Sequence, residues 1–183
     1  MRIKIMVSAL VAILGVSLFM LPDSYKASAA TKKESQKILT TEEAATMIEF
    51  YDENGERFYP FTDEELIAFQ KQPEVSLLSS SYYFGETTFY NTILVASGRS
   101  FRDIGSIALN VASGTTANPI SVEAYNSSNS LVKKVSVPGN WQGGLNIPIP
   151  GLTKGQSHYL QLRNENVRQT ARFSSGYVFY NIP

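Results

Sequence analysis

The sequence has no cysteine, one histidine and one tryptophan among its 183 residues. Without cysteine there is no disulfide, no thiol nucleophile, no Cys-bound zinc and no iron–sulfur cluster, so the fold relies on its core. With His158 alone, a zinc site would have to rest on carboxylates. A Ser-His-Asp triad would have one base available, and no G-x-S-x-G nucleophile motif accompanies it. His158 lies in a strand-like run, where a histidine with its ring at the surface is expected. No run of Lys or Arg exceeds two, which sets nucleic-acid recognition aside.

Acids are scarce in the second half. Residues 81–183 carry only Glu86, Asp103, Glu123 and Glu165. A glycosidase needs two carboxylates facing each other across a cleft, and no pair stands out. Salt bridges to Arg99, Arg102 or Arg172 are the expected role for these acids. No catalytic residue, cofactor or metal site is assigned, and the reading is non-enzymatic. The spacing of Asp52, Asn54 and Gly55 is too tight for the calcium-binding loop of an EF-hand.

What is present begins with export. Arg2 and Lys4 precede an apolar run over residues 5–21, and "ASAA" at 27–30 supplies small residues at the −3 and −1 positions of a cleavage site. Residues 1–29 therefore read as a secretory signal peptide cut after Ala29, of a Gram-positive bacterial kind. The alternative is an uncleaved anchor. No second apolar run reaches 18 residues, so no membrane span is expected after cleavage.

Residues 30–39 are polar and read as a flexible leader. Residues 40–78 form an acidic segment of helix, hairpin and helix. Thr40 with Glu43, and Thr62 with Glu65, have capping-box spacing. The first predicts a helix over Thr41 to Met47. The second opens a helix with Leu66, Ile67 and Phe69 on its apolar side, stopped by Pro73. Between them, "FYDENGERFYPF" at 50–61 centres on Asn54-Gly55, a two-residue hairpin signal. Pro60 confines the second arm to an edge. Phe50 and Phe58 are expected to be buried, with Glu53 and Glu56 exposed.

Charge divides the chain. Residues 30–80 hold five Lys/Arg against eleven Asp/Glu, a balance of −6; residues 81–183 hold eight against four, a balance of +4. The split suggests attraction between the two parts, or separate partners for each.

From Ser79 onward Ser, Asn, Gly, Tyr and Val dominate. Strand-like runs cover 81–92, 101–112, 119–126, 131–137, 142–149, 157–164, 169–174 and 176–181. The fold class is mainly β: an antiparallel β-sandwich of about eight strands over 79–183, preceded by a short α/β-hairpin segment. "ISVEAYNSSNSLVKKVSV" followed by "IPGLTKGQSHYLQLRNE" resembles small β-sandwich domains of secreted bacterial proteins, of fibronectin-III-like or carbohydrate-binding-module-like layout. The resemblance covers about residues 81–183. It implies a fold and carries no catalytic motif.

Trp141 in "PGNWQGG" stands between amides. A flat ring flanked by Asn140 and Gln142 fits a sugar-stacking platform, while a Trp folded over the core is the alternative. In the aromatic cluster Tyr82, Tyr83, Phe84, Phe89 and Tyr90, alternation sends about half the rings outward. Tyr82 and Tyr90 are secondary contact candidates. The expectation is a secreted, extracellular binding protein for a carbohydrate or anionic wall polymer. The alternative is a secreted protein-interaction factor (an inhibitor, toxin or matrix component) whose acidic segment serves as a docking or pro-segment.

Overall fold

The first capping box is complete in the computed structural model, which describes residues 37–71 and 79–182. The Thr40 hydroxyl accepts the Glu43 N–H at 3.2 Å, and the Glu43 carboxylate accepts the Thr40 N–H at 3.0 Å. Helix α1 runs over Thr41–Thr46, with Ala44 and Ala45 buried. Strands β1 (Glu49–Tyr51) and β2 (Arg57–Phe58) follow, then helix α2 (Asp63–Lys71), opened by the second capping box at Thr62 and Glu65. The signal peptide, the leader as far as residue 36 and the stop at Pro73 lie outside the described residues.

The hairpin forms by a different turn from the one expected. Tyr51 pairs with Arg57, so the loop is five residues long, and only Gly55 has positive φ. The Asp52 carboxylate closes it by accepting the N–H of Asn54 and of Glu56, each at 2.9 Å. These bonds replace the Asn54 left-handed conformation that a two-residue turn requires. The loop at 126–130 is built the same way. Asn126 Oδ1 accepts the N–H groups of Ser128 and Ser130, and positive φ falls on Asn129, the fourth residue, as on Gly55.

The protein is mainly β, with two antiparallel sheets. The remaining strands are β3 (Ser80–Phe84), β4 (Thr87–Phe89), β5 (Thr92–Leu94), β6 (Ser100–Arg102), β7 (Ser106–Val111), β8 (Ile120–Tyr125), β9 (Leu131–Val137), β10 (Gly144–Pro148), β11 (Ser157–Asn164) and β12 (Ala171–Tyr180). A seven-stranded sheet has the order β2-β1-β9-β8-β11-β5, with β6 also on β11; a five-stranded sheet has the order β10-β7-β12-β3, with β4 also on β12.

Two runs read as single strands are divided. Residues 81–92 become β3 and β4 in the five-stranded sheet and β5 in the seven-stranded one. Residues 101–112 change sheets between β6 and β7, at Asp103, whose φ is +49°. Conversely, 169–174 and 176–181 merge into β12, interrupted by a bulge between Phe173 and Ser175.

Both sheets feed one core. Ile107, Leu109, Phe173 and Val178 contribute from the smaller sheet; Val122, Val135, Leu160 and Leu162 contribute from the larger. The acidic segment joins this core through Phe50 and Leu66. Phe50 is buried and Phe58 half-buried, with Glu53 and Glu56 exposed. Lys133 meets this hairpin twice: its ammonium lies 3.8 Å from Glu53 and 5.0 Å from the centre of the Phe58 ring. Part of the charge split is thus an internal contact. No helix among the described residues is long and apolar enough to cross a membrane.

Candidate functional site

Trp141 is 0% exposed. Its ring packs on Phe173 at 6.3 Å, and its Nε1–H donates to Pro138 O at 2.9 Å. A ring without an exposed face offers nothing for a sugar to stack on, so the fold over the core takes the tryptophan. Asn140 lines a cleft beside it, and Gln142 is exposed. Tyr82 points inward onto Phe101, with ring centres 5.5 Å apart, and the Arg99 guanidinium lies over it. Tyr90 is exposed. The buried ring removes Trp141 from the candidate contacts, and Asn140 keeps its place on the cleft wall.

His158 corrects the surface expectation: it is 2% exposed. Alternation along β11 turns residues 158, 160, 162 and 164 into the protein. Burial pushes the imidazole pKa down, opposed by the Asp103 carboxylate, and Nδ1 has no hydrogen-bond partner. Glu123 is also buried. Its carboxylate takes Arg163 Nε at 2.7 Å, the Tyr125 hydroxyl at 2.8 Å and Gln161 Nε2 at 3.0 Å. Burial raises its pKa, and these bonds outweigh the burial, leaving it below the ordinary value. Arg163 was not among its expected partners. Glu86 pairs with Arg172 at 3.3 Å and Asp103 with Arg102 at 3.6 Å, both within the expected set.

Exposed aromatic surface gathers on the outward face of the five-stranded sheet. One row across four strands reads Asn146, Ala108, Tyr177, Tyr83. Tyr83 is 56% exposed and Tyr177 37%. Their ring centres are 5.1 Å apart, and Phe179 stacks on Tyr177 at 6.2 Å with 20° between planes. The three rings form one continuous aromatic strip.

Amides border the strip. Phe179, Ala108, Asn110, Asn146 and Gln70 share a groove of about 240 Å³. Helix α2 delivers Gln70, which bonds the main chain of Asn146 in both directions: Nε2–H to O at 2.8 Å, and N–H to Oε1 at 2.9 Å. The Asn146 Oδ1 is buried and receives no donor from the protein. A buried acceptor of this kind is normally satisfied. Asn110 donates to the Ser175 hydroxyl at 3.1 Å. Chemically, the face offers flat π-surface and carboxamides, with no carboxylate among the groove residues.

Tyr177 and Phe179 went unnoticed in the sequence because "YVFYNI" reads only as a β-former run. Their i, i+2 spacing around buried Val178 was the available signal. No family model, no curated protein and no solved structure matches this chain.

Proposed function

We propose that this is a secreted β-sandwich protein without catalytic activity that holds a carbohydrate or cell-wall polymer on the outward face of its five-stranded sheet. One observation carries the reading: the strip of Tyr83, Tyr177 and Phe179 beside the carboxamides of Asn110 and Asn146. Aromatic faces pack against the C–H face of a sugar ring, and carboxamides both donate to and accept from hydroxyls. A sugar hydroxyl reaching the groove would give the Asn146 Oδ1 its missing donor. The N-terminal signal supports action outside the cell. Tyr83 and Tyr177 are exposed and Phe179 is half-buried, whereas Trp141 is fully buried.

The test is pull-down on cell-wall and polysaccharide preparations. Tyr177→Ala and Tyr83→Ala should each weaken retention by about tenfold or more, as expected for an exposed aromatic anchor at the centre of a contact. Both variants should unfold at nearly the unaltered urea concentration. Undiminished retention, or no retention of the unaltered protein, refutes the reading. Retention by an immobilised protein alone would favour the interaction-factor alternative.

A further inference from the structure

Three loops and the start of the described chain surround a second cavity, which shares no lining residue with the aromatic groove. Its volume, about 640 Å³, lies in the range of small-molecule sites. Its polar lining comes from Thr116, Asn118, Asn140, Asn166 and Gln169; Pro119 and Pro138 supply apolar surface between them.

The walls are braced from beneath by Asn164, 2% exposed. Its Nδ2–H₂ donates to Gln169 O at 2.6 Å and to Tyr90 O at 2.8 Å. Its Oδ1 accepts the Asn166 N–H at 3.1 Å and Asn118 Nδ2 at 3.4 Å. Asn118 Nδ2 also reaches Gln169 O at 3.3 Å. Asn164 is therefore a positioning residue for two sides of the cleft. Trp141 braces a third, because its indole holds Pro138 O and its carbonyl accepts the Ala117 N–H at 2.9 Å.

Among the described lining residues Lys37 carries the one charged side chain, and its ammonium is paired with Glu43. What remains is a neutral set of carboxamides and one hydroxyl that together can donate and accept: Asn118 has both Nδ2 hydrogens taken by Asn164 Oδ1 and Gln169 O and offers its Oδ1, and Asn166 Nδ2 reaches Gln169 Oε1 at 3.4 Å. Hydroxyl groups have the same double capacity. We propose that this cleft is a second binding site, for a small neutral saccharide whose hydroxyls meet the amides and whose C–H face meets Pro119 and Pro138. It stands on its own observation, so failure at the aromatic face leaves it intact.

Amide-resolved NMR of the purified chain separates the two sites, with glucose, N-acetylglucosamine and their β-linked tetramers as probes. At least one probe should shift the side-chain amide signals of Asn118, Asn166 and Gln169. Gln169→Ala should weaken that probe by about tenfold, the loss of one or two neutral hydrogen bonds, while keeping the main-chain bonds that brace the loop. Thr116→Val provides a second, milder variant with the same direction of effect. Tyr177→Ala should leave the cleft shifts unchanged. The proposal is overturned if no probe at millimolar concentration moves these signals. It is equally overturned if the shifts are confined to Tyr83, Tyr177 and Phe179, or if glucuronate or inorganic phosphate displaces the neutral probe.

Discussion

Replacing Asn164 by alanine tests the bracing most directly. The side chain makes four hydrogen bonds, at 2.6, 2.8, 3.1 and 3.4 Å. A neutral hydrogen bond contributes about 0.5–1.5 kcal/mol net. The longest of the four counts for little, which leaves three. Tyr90 and Gln169 are exposed, so their carbonyls regain some water when the amide is removed. Asn164→Ala should therefore cost about 2–4 kcal/mol, read as a lower urea midpoint at unchanged slope. Asn164→Asp is the sharper variant. It keeps the shape, but the carboxylate cannot donate to Tyr90 O or Gln169 O. A carboxylate buried among acceptors carries a raised pKa and is stabilised by protonation. The Asp variant should thus lose more stability than the Ala variant at neutral pH and regain part of it as pH falls toward about 4. A loss below about 1 kcal/mol for Asn164→Ala, or an Asp variant without that pH response, would refute the bracing role.

Two further outcomes follow from the core. Trp141→Ala should cost about 3–5 kcal/mol, the range for a buried large aromatic, in urea unfolding. The fraction that remains folded should still be retained on polysaccharide, because the proposed face lies elsewhere. His158 should make stability fall as pH is lowered: its folded pKa sits below the ordinary 6.5, so the unfolded chain binds the extra proton first. The loss begins as pH drops through about 6.5 and continues down to the lower folded value. His158→Gln should flatten the stability slope between about pH 7 and 5, whatever its own cost; an unchanged slope would assign the effect to other groups.

Local chemistry was the legible part of this chain. Both capping boxes formed where Thr and Glu stood three apart, and β9 and β11 occupy the residues read for them. Each of these depends on neighbours within a few residues. The failures share a different cause. Whether 81–92 or 101–112 stays in one sheet depends on which distant strand receives it, and β11 and β12 compete for both runs. Glycines and amides around Trp141 leave both a platform and a ring folded over the core open in sequence, and Phe173, far along the chain, is what its ring packs on. The aromatic strip has the same origin: Tyr83 meets Tyr177 only through the pairing of β3 with β12. Sequence could supply the rings and their alternation, and only the strand order could bring them together.

The hairpin of β1 and β2 also decides how the larger sheet ends. Strand β9, seven residues long and rich in valine, would otherwise present open main-chain donors and acceptors on the side that β1 occupies at Ser136, Val135 and Lys134. An open strand of that kind is a template for pairing with another copy of itself. With the hairpin in place the sheet instead terminates in β2, two residues long and followed by Pro60, which has no N–H to offer a newcomer. A chain shortened to begin near Ser79 would uncover β9 and should associate with itself, as size-exclusion chromatography against the full chain would read; a monomeric shortened chain would refute this.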